Sequence, residues 1–284
     1  MNIKEKLMKQ DKFSDSEKEL ANFILKKKEK VLHMSVQEIS QQTYTSTSAV
    51  VRLCRKIGLK GFKDFKIQYS AELQQKYEQV MEVDANFPFN EDDTVQEISS
   101  KILALTKDSL HETAKLFSAE KLEKAVAYII NSKRTAIFAI GDSFIRALDF
   151  QNKMMKINKN ILSMQIPFEF GHLAQTLCHE DCAIVISYSG QTKTLIEYVQ
   201  ILKRKLVTII VITSNEESKI ANLSDLVLLI PNKESKSIKF STFSSQTCIE
   251  YYLNILYSYF FVLDFENNHK RRITAEVDFL DTRF

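Results

Sequence analysis

Three hydroxyls and a glycine within six residues, Ser187, Ser189, Gly190 and Thr192, follow the apolar run 182–186 and precede a helical pattern carried by Leu195, Ile196, Val199 and Leu202. The run has the length and β-branched content of a buried parallel strand. The polar loop therefore joins a strand's carboxyl end to a helix's amino end, where free N–H groups and the helix dipole favour an anion. Neutral hydroxyls add donors without adding charge. The chemistry this predicts is recognition of a phosphorylated small molecule; the competing reading is a polar turn whose hydroxyls only cap the helix.

A second set of residues suits a different partner. Ser46 has the character of a helix N-cap, and the following helix, 47–57, turns Ala49, Val50, Leu53 and Ile57 inward. Thr47, Ser48, Arg52, Arg55 and Lys56 are left outside, with Lys60 and Lys63 just beyond. A short helix, 36–43, precedes it across a break at 44–46, which is the helix-turn-helix arrangement whose second helix enters the major groove of double-stranded DNA. Thr47, Ser48 and Arg52, near that helix's amino end, are the expected base readers. Arg55, Lys56, Lys60 and Lys63 are the expected phosphate contacts, contributing affinity with little sequence information. A small helical bundle with a solvated basic face, contacting protein, has the same composition.

Metal and thiol chemistry find less support. Cys54, Cys178, Cys182 and Cys248 form no C-x-x-C pair, and Cys178, His179 and Cys182 lack an evident fourth ligand and run straight into a strand. No metal and no cofactor are expected.

These residues need scaffolds of two kinds. Up to about residue 80 the chain reads as all helix: Ser14 to Glu17 has capping-box spacing, Leu20, Phe23 and Ile24 recur at helical intervals, Gly58 closes the second DNA-reading helix, and Phe62, Phe65, Ile67, Tyr69 and Leu73 lead a last helix towards Tyr77. Residues 81–93, with Asn86-Phe87-Pro88-Phe89-Asn90 and a run of three acids, lose periodicity and read as a linker. From 94 to 284 two helical patterns give way to apolar runs at 136–140, 182–186, 207–212 and 226–230, with a weaker one at 161–164, alternating with helices at about 142–158, 192–204 and 241–263. That alternation predicts a doubly wound, mainly five-stranded parallel sheet, with ligands beyond the strands' carboxyl ends. Three polar loops converge there, 141–143, 187–192 and 213–215. The tail after Phe265 is charged and uninformative.

Composition sets the outer bounds. The 284 residues, 44% hydrophobic and 26% charged, suit two globular domains. No apolar stretch approaches membrane-spanning length and the first twenty residues are too charged for a signal peptide, so a cytoplasmic protein is expected. The net charge of +3 hides an asymmetry: residues 1–77 hold 16 Lys and Arg against 9 Asp and Glu. The basic excess sits in the all-helical part, as binding to a polyanion requires.

With these residues in view, the chain resembles the RpiR family of bacterial transcriptional regulators over nearly its whole length. The signature is carried by 46–62, Ser-Thr-Ser-Ala-Val-Val-Arg-Leu-Cys-Arg-Lys-Ile-Gly-Leu-Lys-Gly-Phe. In the second half Gly141-Asp142-Ser143, Ser187-Tyr188-Ser189-Gly190-Gln191-Thr192 and Ile212-Thr213 resemble the sugar isomerase (SIS) domain. The resemblance implies an all-α helix-turn-helix domain followed by an α/β phosphosugar-binding domain. It implies a regulator whose grip on DNA is altered by a sugar phosphate, in control of sugar or amino-sugar genes. By it Ser143, Ser187, Ser189 and Thr192 are ligand contacts, Gly190 lets the backbone approach, and Ser245 lies near a further polar contact. Two departures stand out. Tyr44 occupies a turn position where this family carries a small residue, which demands different packing or a negative φ. Asp142, in the first turn of a helix expected to help hold the anion, would oppose a phosphate unless its side chain turns away.

SIS domains also occur in sugar phosphate isomerases and lyases, which need a positioned base. Glu169, His172 and Glu250 are the conceivable candidates. A DNA reader explains the first 77 residues and an isomerase does not, so a regulator rather than an enzyme is expected. A two-fold operator calls for a homodimer or higher homo-oligomer, and the apolar stretch 251–263 is broad enough for core plus subunit contact.

Overall fold

A computed structural model describes residues 2–10, 12–78, 83–164, 166, 169–235 and 237–281, grouped in two compact units, Met1–Met81 and Glu82–Phe284. The expected boundary at 80–81 lies outside the described residues, and so do the side chains of Leu73 and Tyr77.

In the first unit, α1 (Ile3–Lys9), α2 (Asp15–Lys27), α3 (Val36–Gln42), α4 (Thr47–Lys56) and α5 (Phe62–Glu78) enclose one apolar core, with a 3-10 turn at Lys28–His33. Each start has a local cause. Asn2, Ser14 and Ser35 form capping boxes with Glu5, Glu17 and Glu38, and Ser46 Oγ accepts from Ala49 N at 3.1 Å. Leu20, Ile24, Ile39, Val50, Leu53 and Phe65 are buried at the centre. Ile67, expected among the apolar positions of α5, is exposed, because it falls between Phe65 and Tyr69 on the helix's outer side.

The second unit opens with α6 (Val95–Leu116) and α7 (Ala119–Asn131), capped by Thr94 and Ser118. Five strands follow: β1 (Thr135–Ala139), β2 (Ile161–Leu162), β3 (Cys182–Ile186), β4 (Thr208–Thr213) and β5 (Leu226–Leu229). They form one sheet in the order β2-β1-β3-β4-β5, every pair parallel, with Ala139 beside Ile186 and Ile186 beside Ile212. The strands are buried on both faces because alternate side chains serve different layers. Ile137, Ile184, Ile210 and Ile212 pack with α7, α8 (Asp142–Met155) and α12 (Phe243–Leu263). Phe138, Val185, Ile209 and Val211 pack with α9 (Glu169–Thr176), α10 (Lys193–Arg204) and α11 (Lys219–Leu223). This is the doubly wound arrangement expected.

Two short helices, α9 and α11, and the long α13 (Phe265–Asp281) go beyond the sequence reading. Residues 84–90 also carry more structure than their composition suggests. Asn86 O accepts from Phe240 N at 2.8 Å, Asn86 Oδ1 accepts from Ser235 N, and Phe87 and Phe89 pack on Phe240 at 5.0 and 5.2 Å between ring centroids. Among the described residues no helix is long and apolar enough to cross a membrane.

Candidate functional site

Tertiary contacts bring two of the three polar loops together at the sheet's carboxyl edge. Ser143 ends the first of them, in the first turn of α8 after β1; Ser187, Ser189 and Thr192 lie in the second, after β3. Together they line a cavity of ≈ 190 Å³, to whose lining Ile140, Ile186 and Leu195 add apolar side chains and α12 adds Ser245. Ser187 is buried, its hydroxyl 3.4 Å from that of Thr192, while Ser189 Oγ accepts from Gln191 N at 3.2 Å. Thr192 is the N-cap of α10 but makes no side-chain cap bond, and the helix's first turn holds no acid. The amino end of a twelve-residue helix thus faces a cluster of hydroxyls with its own cap unformed, as an anion site requires.

The third loop supports the cradle from behind. Tyr188 O accepts from Ser214 N and Oγ at 2.9 and 2.8 Å, and from Thr213 Oγ1 at 3.1 Å. Gly190 has a packing role that the sequence does not announce. It has φ +60°, and a Cβ there would lie 2.0 Å from Ser218 Oγ and 2.4 Å from Ser218 Cβ. It does not line the cavity. Its missing side chain lets the loop close against Ser218 at the start of α11.

Ser245 lines the cavity yet is already engaged. Its N and Oγ donate to the Glu234 carboxylate at 2.7 and 2.8 Å. Glu234 is buried, and Lys239 Nζ pairs with it at 2.9 Å while lying 5.3 Å from the Tyr188 ring centroid. Glu234 N in turn donates to Tyr188 Oη at 2.7 Å, and burial pushes that phenol's pKa up. Among the described residues Lys239 is the cation that lines the cavity, and the sequence reading misses it. It stands in a loop without periodicity, and its only sequence signal is position, a few residues before a helix whose first turn holds two serines. Ser244 points elsewhere, bonding Ser109 Oγ of α6 at 2.7 Å in the core.

Asp142 does not turn away. It lines the cavity, and Thr242 Oγ1 donates to its Oδ2 at 2.6 Å. Gln246 also lines the cavity, and its amide oxygen has no hydrogen-bond partner among the described residues. The candidate bases stand apart: Glu169 and His172 are exposed on α9, and Glu250 pairs with Arg146 Nη1 at 2.7 Å; none of the three lines the cavity. Cys182 lies inside β3, where burial pushes its thiol up to about 12.

In the first unit Thr47, Ser48, Arg52, Arg55, Lys56, Lys60 and Lys63 are all exposed. Arg52 and Arg55 project from α4 without an ion pair among the described residues. Lys56 instead bonds Glu17 Oε2 at 2.6 Å and lies 5.6 Å from the Phe13 ring centroid, so it fastens α4 to α2. That bond holds Glu17 low in spite of the opposing effect of partial burial, with the Ser14 amide and hydroxyl adding to it. At the turn, Tyr44 has φ +50° and is 98% exposed. Of the two expected outcomes, different packing or a negative φ, the second does not occur: the turn keeps its left-handed residue and sends the ring into solvent.

Comparison with known proteins matches these two regions separately. The helix-turn-helix domain of the rpiR family matches residues 1–76, and the SIS domain matches residues 128–252. An uncharacterized HTH-type transcriptional regulator of Caldanaerobacter subterraneus is 30% identical over 223 residues, 78% of this chain and 77% of that one. The HTH-type transcriptional regulator HexR of Pseudomonas aeruginosa is 28% identical over 229 residues, 80% and 78% of the two chains. Among solved structures, NanR of Vibrio vulnificus complexed with ManNAc-6P aligns over 97% of both chains with a TM-score of 0.59 at 22% identity. The sugar isomerase domain of an RpiR transcription factor from Sphaerobacter thermophilus covers 64% of this chain and 99% of its own, with a TM-score of 0.55 at 17% identity.

Proposed function

The chain belongs to the RpiR family of helix-turn-helix transcriptional regulators and carries a SIS domain, and from that premise we propose that a sugar phosphate held in the second unit alters the affinity of the first for operator DNA. The observation that carries this reading is the gathering of Ser143, Ser187, Ser189 and Thr192 around the uncapped start of α10. Such a site offers hydroxyl and amide donors to phosphate oxygens. NanR, similar in fold, was solved with a sugar phosphate, which agrees with this chemistry.

The proposed DNA surface is α4 with the turn before it. Thr47, Ser48 and Arg52 read bases, while Arg55, Lys60 and Lys63 hold phosphates; Lys56 contributes less because Glu17 engages it. Two copies would read a two-fold site, and residues 81–93 join reader to sensor. The genes under control would be those for sugar or amino-sugar use. Isomerase or lyase activity is the less favoured reading, since Glu169, His172 and Glu250 stand outside the cavity.

One pair of measurements tests both halves. A sugar phosphate present at about 100 times its dissociation constant is expected to stabilise the protein by about 2.7 kcal/mol in a thermal-shift screen. Arg52→Ala with Arg55→Ala is expected to abolish DNA binding and to leave that shift intact. No shift with any sugar phosphate would overturn the sensor assignment, and unchanged DNA affinity in the double variant would overturn the reader.

A further inference from the structure

The cavity lining combines groups of opposite character. Ser187, Ser189, Thr192 and the start of α10, with Ser143 of α8, present donors. Asp142, next to Ser143 at the start of α8, presents a carboxylate, and Gln246 of α12 an amide oxygen without a partner among the described residues. The loops after β1 and β3 leave adjacent strands, with Ala139 beside Ile186, and neighbouring strands lie about 4.8 Å apart, a span on the scale of one hexose ring.

Charge makes the arrangement selective. Among the described residues Asp142 and Lys239 are the charged ones lining the cavity, and Lys239 is already paired with the buried Glu234. Asp142 is exposed in the first turn of α8, and among the described residues its carboxylate has only the Thr242 hydroxyl as a hydrogen-bond partner and no ion pair. A phosphorylated ligand with a neutral sugar therefore brings its anion near the Asp142 carboxylate, and like charges at this range oppose binding. A cation at the far end of the ligand removes the conflict. It also supplies donors to the Asp142 carboxylate and to the Gln246 oxygen, and donors to a carboxylate are the stronger class of hydrogen bond.

Resting on the phosphosugar reading of the cavity, we propose that the effector is an amino-sugar phosphate with a free, positively charged amine, and that Asp142 is the residue that selects it. The phosphate lies at the hydroxyls of 187–192 and the ammonium at Asp142, with Gln246 accepting from the amine or a neighbouring hydroxyl. An N-acetylated sugar phosphate has one amide N–H and no positive charge at that atom, so it leaves the carboxylate unmatched.

Isothermal titration of the full-length protein tests this with matched probes: the 6-phosphates of glucosamine, mannosamine and galactosamine, each beside its hexose and N-acetylhexosamine counterparts. In at least one series the free amine is expected to bind about tenfold or more tighter than both counterparts, as a charge-assisted bond to a carboxylate implies. Asp142→Asn is expected to bring that amine and its hexose counterpart to within about threefold of each other, the charged part of the preference being gone. Asp142→Ser, another residue suited to the start of a helix, provides the same readout should the first variant melt early. Equal or tighter binding of the hexose or N-acetyl probes by the wild type would overturn the proposal and leave the phosphosugar reading standing. So would a preference that survives in both variants. Heat from none of the sugar phosphates would overturn the two together.

Discussion

Tyr44 shows how a single residue separates what a sequence suggests from what a fold requires. The type departs from the small residue of the family resemblance, and that much is legible; whether backbone or packing gives way is decided by neighbours. Thr45 N bonds Ser40 O at 2.9 Å and Thr43 Oγ1 bonds Ile39 O at 2.8 Å, so the turn is held closed on both sides and the tyrosine takes φ +50°. A non-glycine residue in that region costs about 1–2 kcal/mol. Tyr44→Gly is therefore expected to raise the stability of the first unit by about 1 kcal/mol, less than the full cost because the unfolded chain also gains freedom. Urea denaturation measures it, and an unchanged or lower midpoint would contradict the strain argument. At the same scale, the hydroxyls of 187–192 were legible because strand and helix patterns bracket them. Lys239 and Glu234 were not, because their pairing depends on a loop folding back over Tyr188, which no local spacing encodes.

Most elements with strong periodicity appear within a residue or two of where the sequence places them, while α8 ends at Met155 rather than at 158. Cys182–Ile186 is β3 as read, and α12 begins at Phe243 rather than 241. The shorter α9 and α11 escape because five to eight residues hold too few turns for a helical period to show. Residues 84–90 read as plain linker because Phe87 and Phe89 find their partner, Phe240, some 150 positions onward. The α9–β3 connection is fixed by Asp181, buried, which receives Arg134 Nε and Nη2 at 3.1 and 2.6 Å and Cys178 N at 2.9 Å. Burial alone would raise its pKa, but the Arg134 guanidinium and the Cys178 amide outweigh burial and hold it below the ordinary aspartate value. A depressed folded-state pKa contributes stability that is present above the unfolded value, about 3.9, and is lost as pH falls through the lower folded value. The wild type is thus expected to lose more stability than Asp181→Asn on going from pH 6 to the acid side of that window, and the variant to be the less stable of the two at pH 6. Denaturation at a series of pH values checks this; parallel curves would contradict it.

At the scale of the whole molecule, the charge asymmetry was the clearest message of the sequence. In the proposed function a basic, all-helical unit reads DNA and a separate sheet-containing unit senses a ligand. How two binding events influence one another is a property of neither unit alone. If one state of the protein binds sugar phosphate better, DNA and ligand must change each other's affinity by the same factor, commonly worth about 1–3 kcal/mol. The most direct measurement is fluorescence anisotropy on a DNA site selected by the protein from a random pool, titrated with and without the sugar phosphate that stabilises it, and repeated with Ser187→Ala/Ser189→Ala. The expected result is a DNA affinity shifted by the sugar phosphate about 5- to 150-fold in the wild type, with the double variant binding DNA normally and showing no shift. An affinity indifferent to the ligand, or a double variant that responds at wild-type ligand concentrations, would contradict the account.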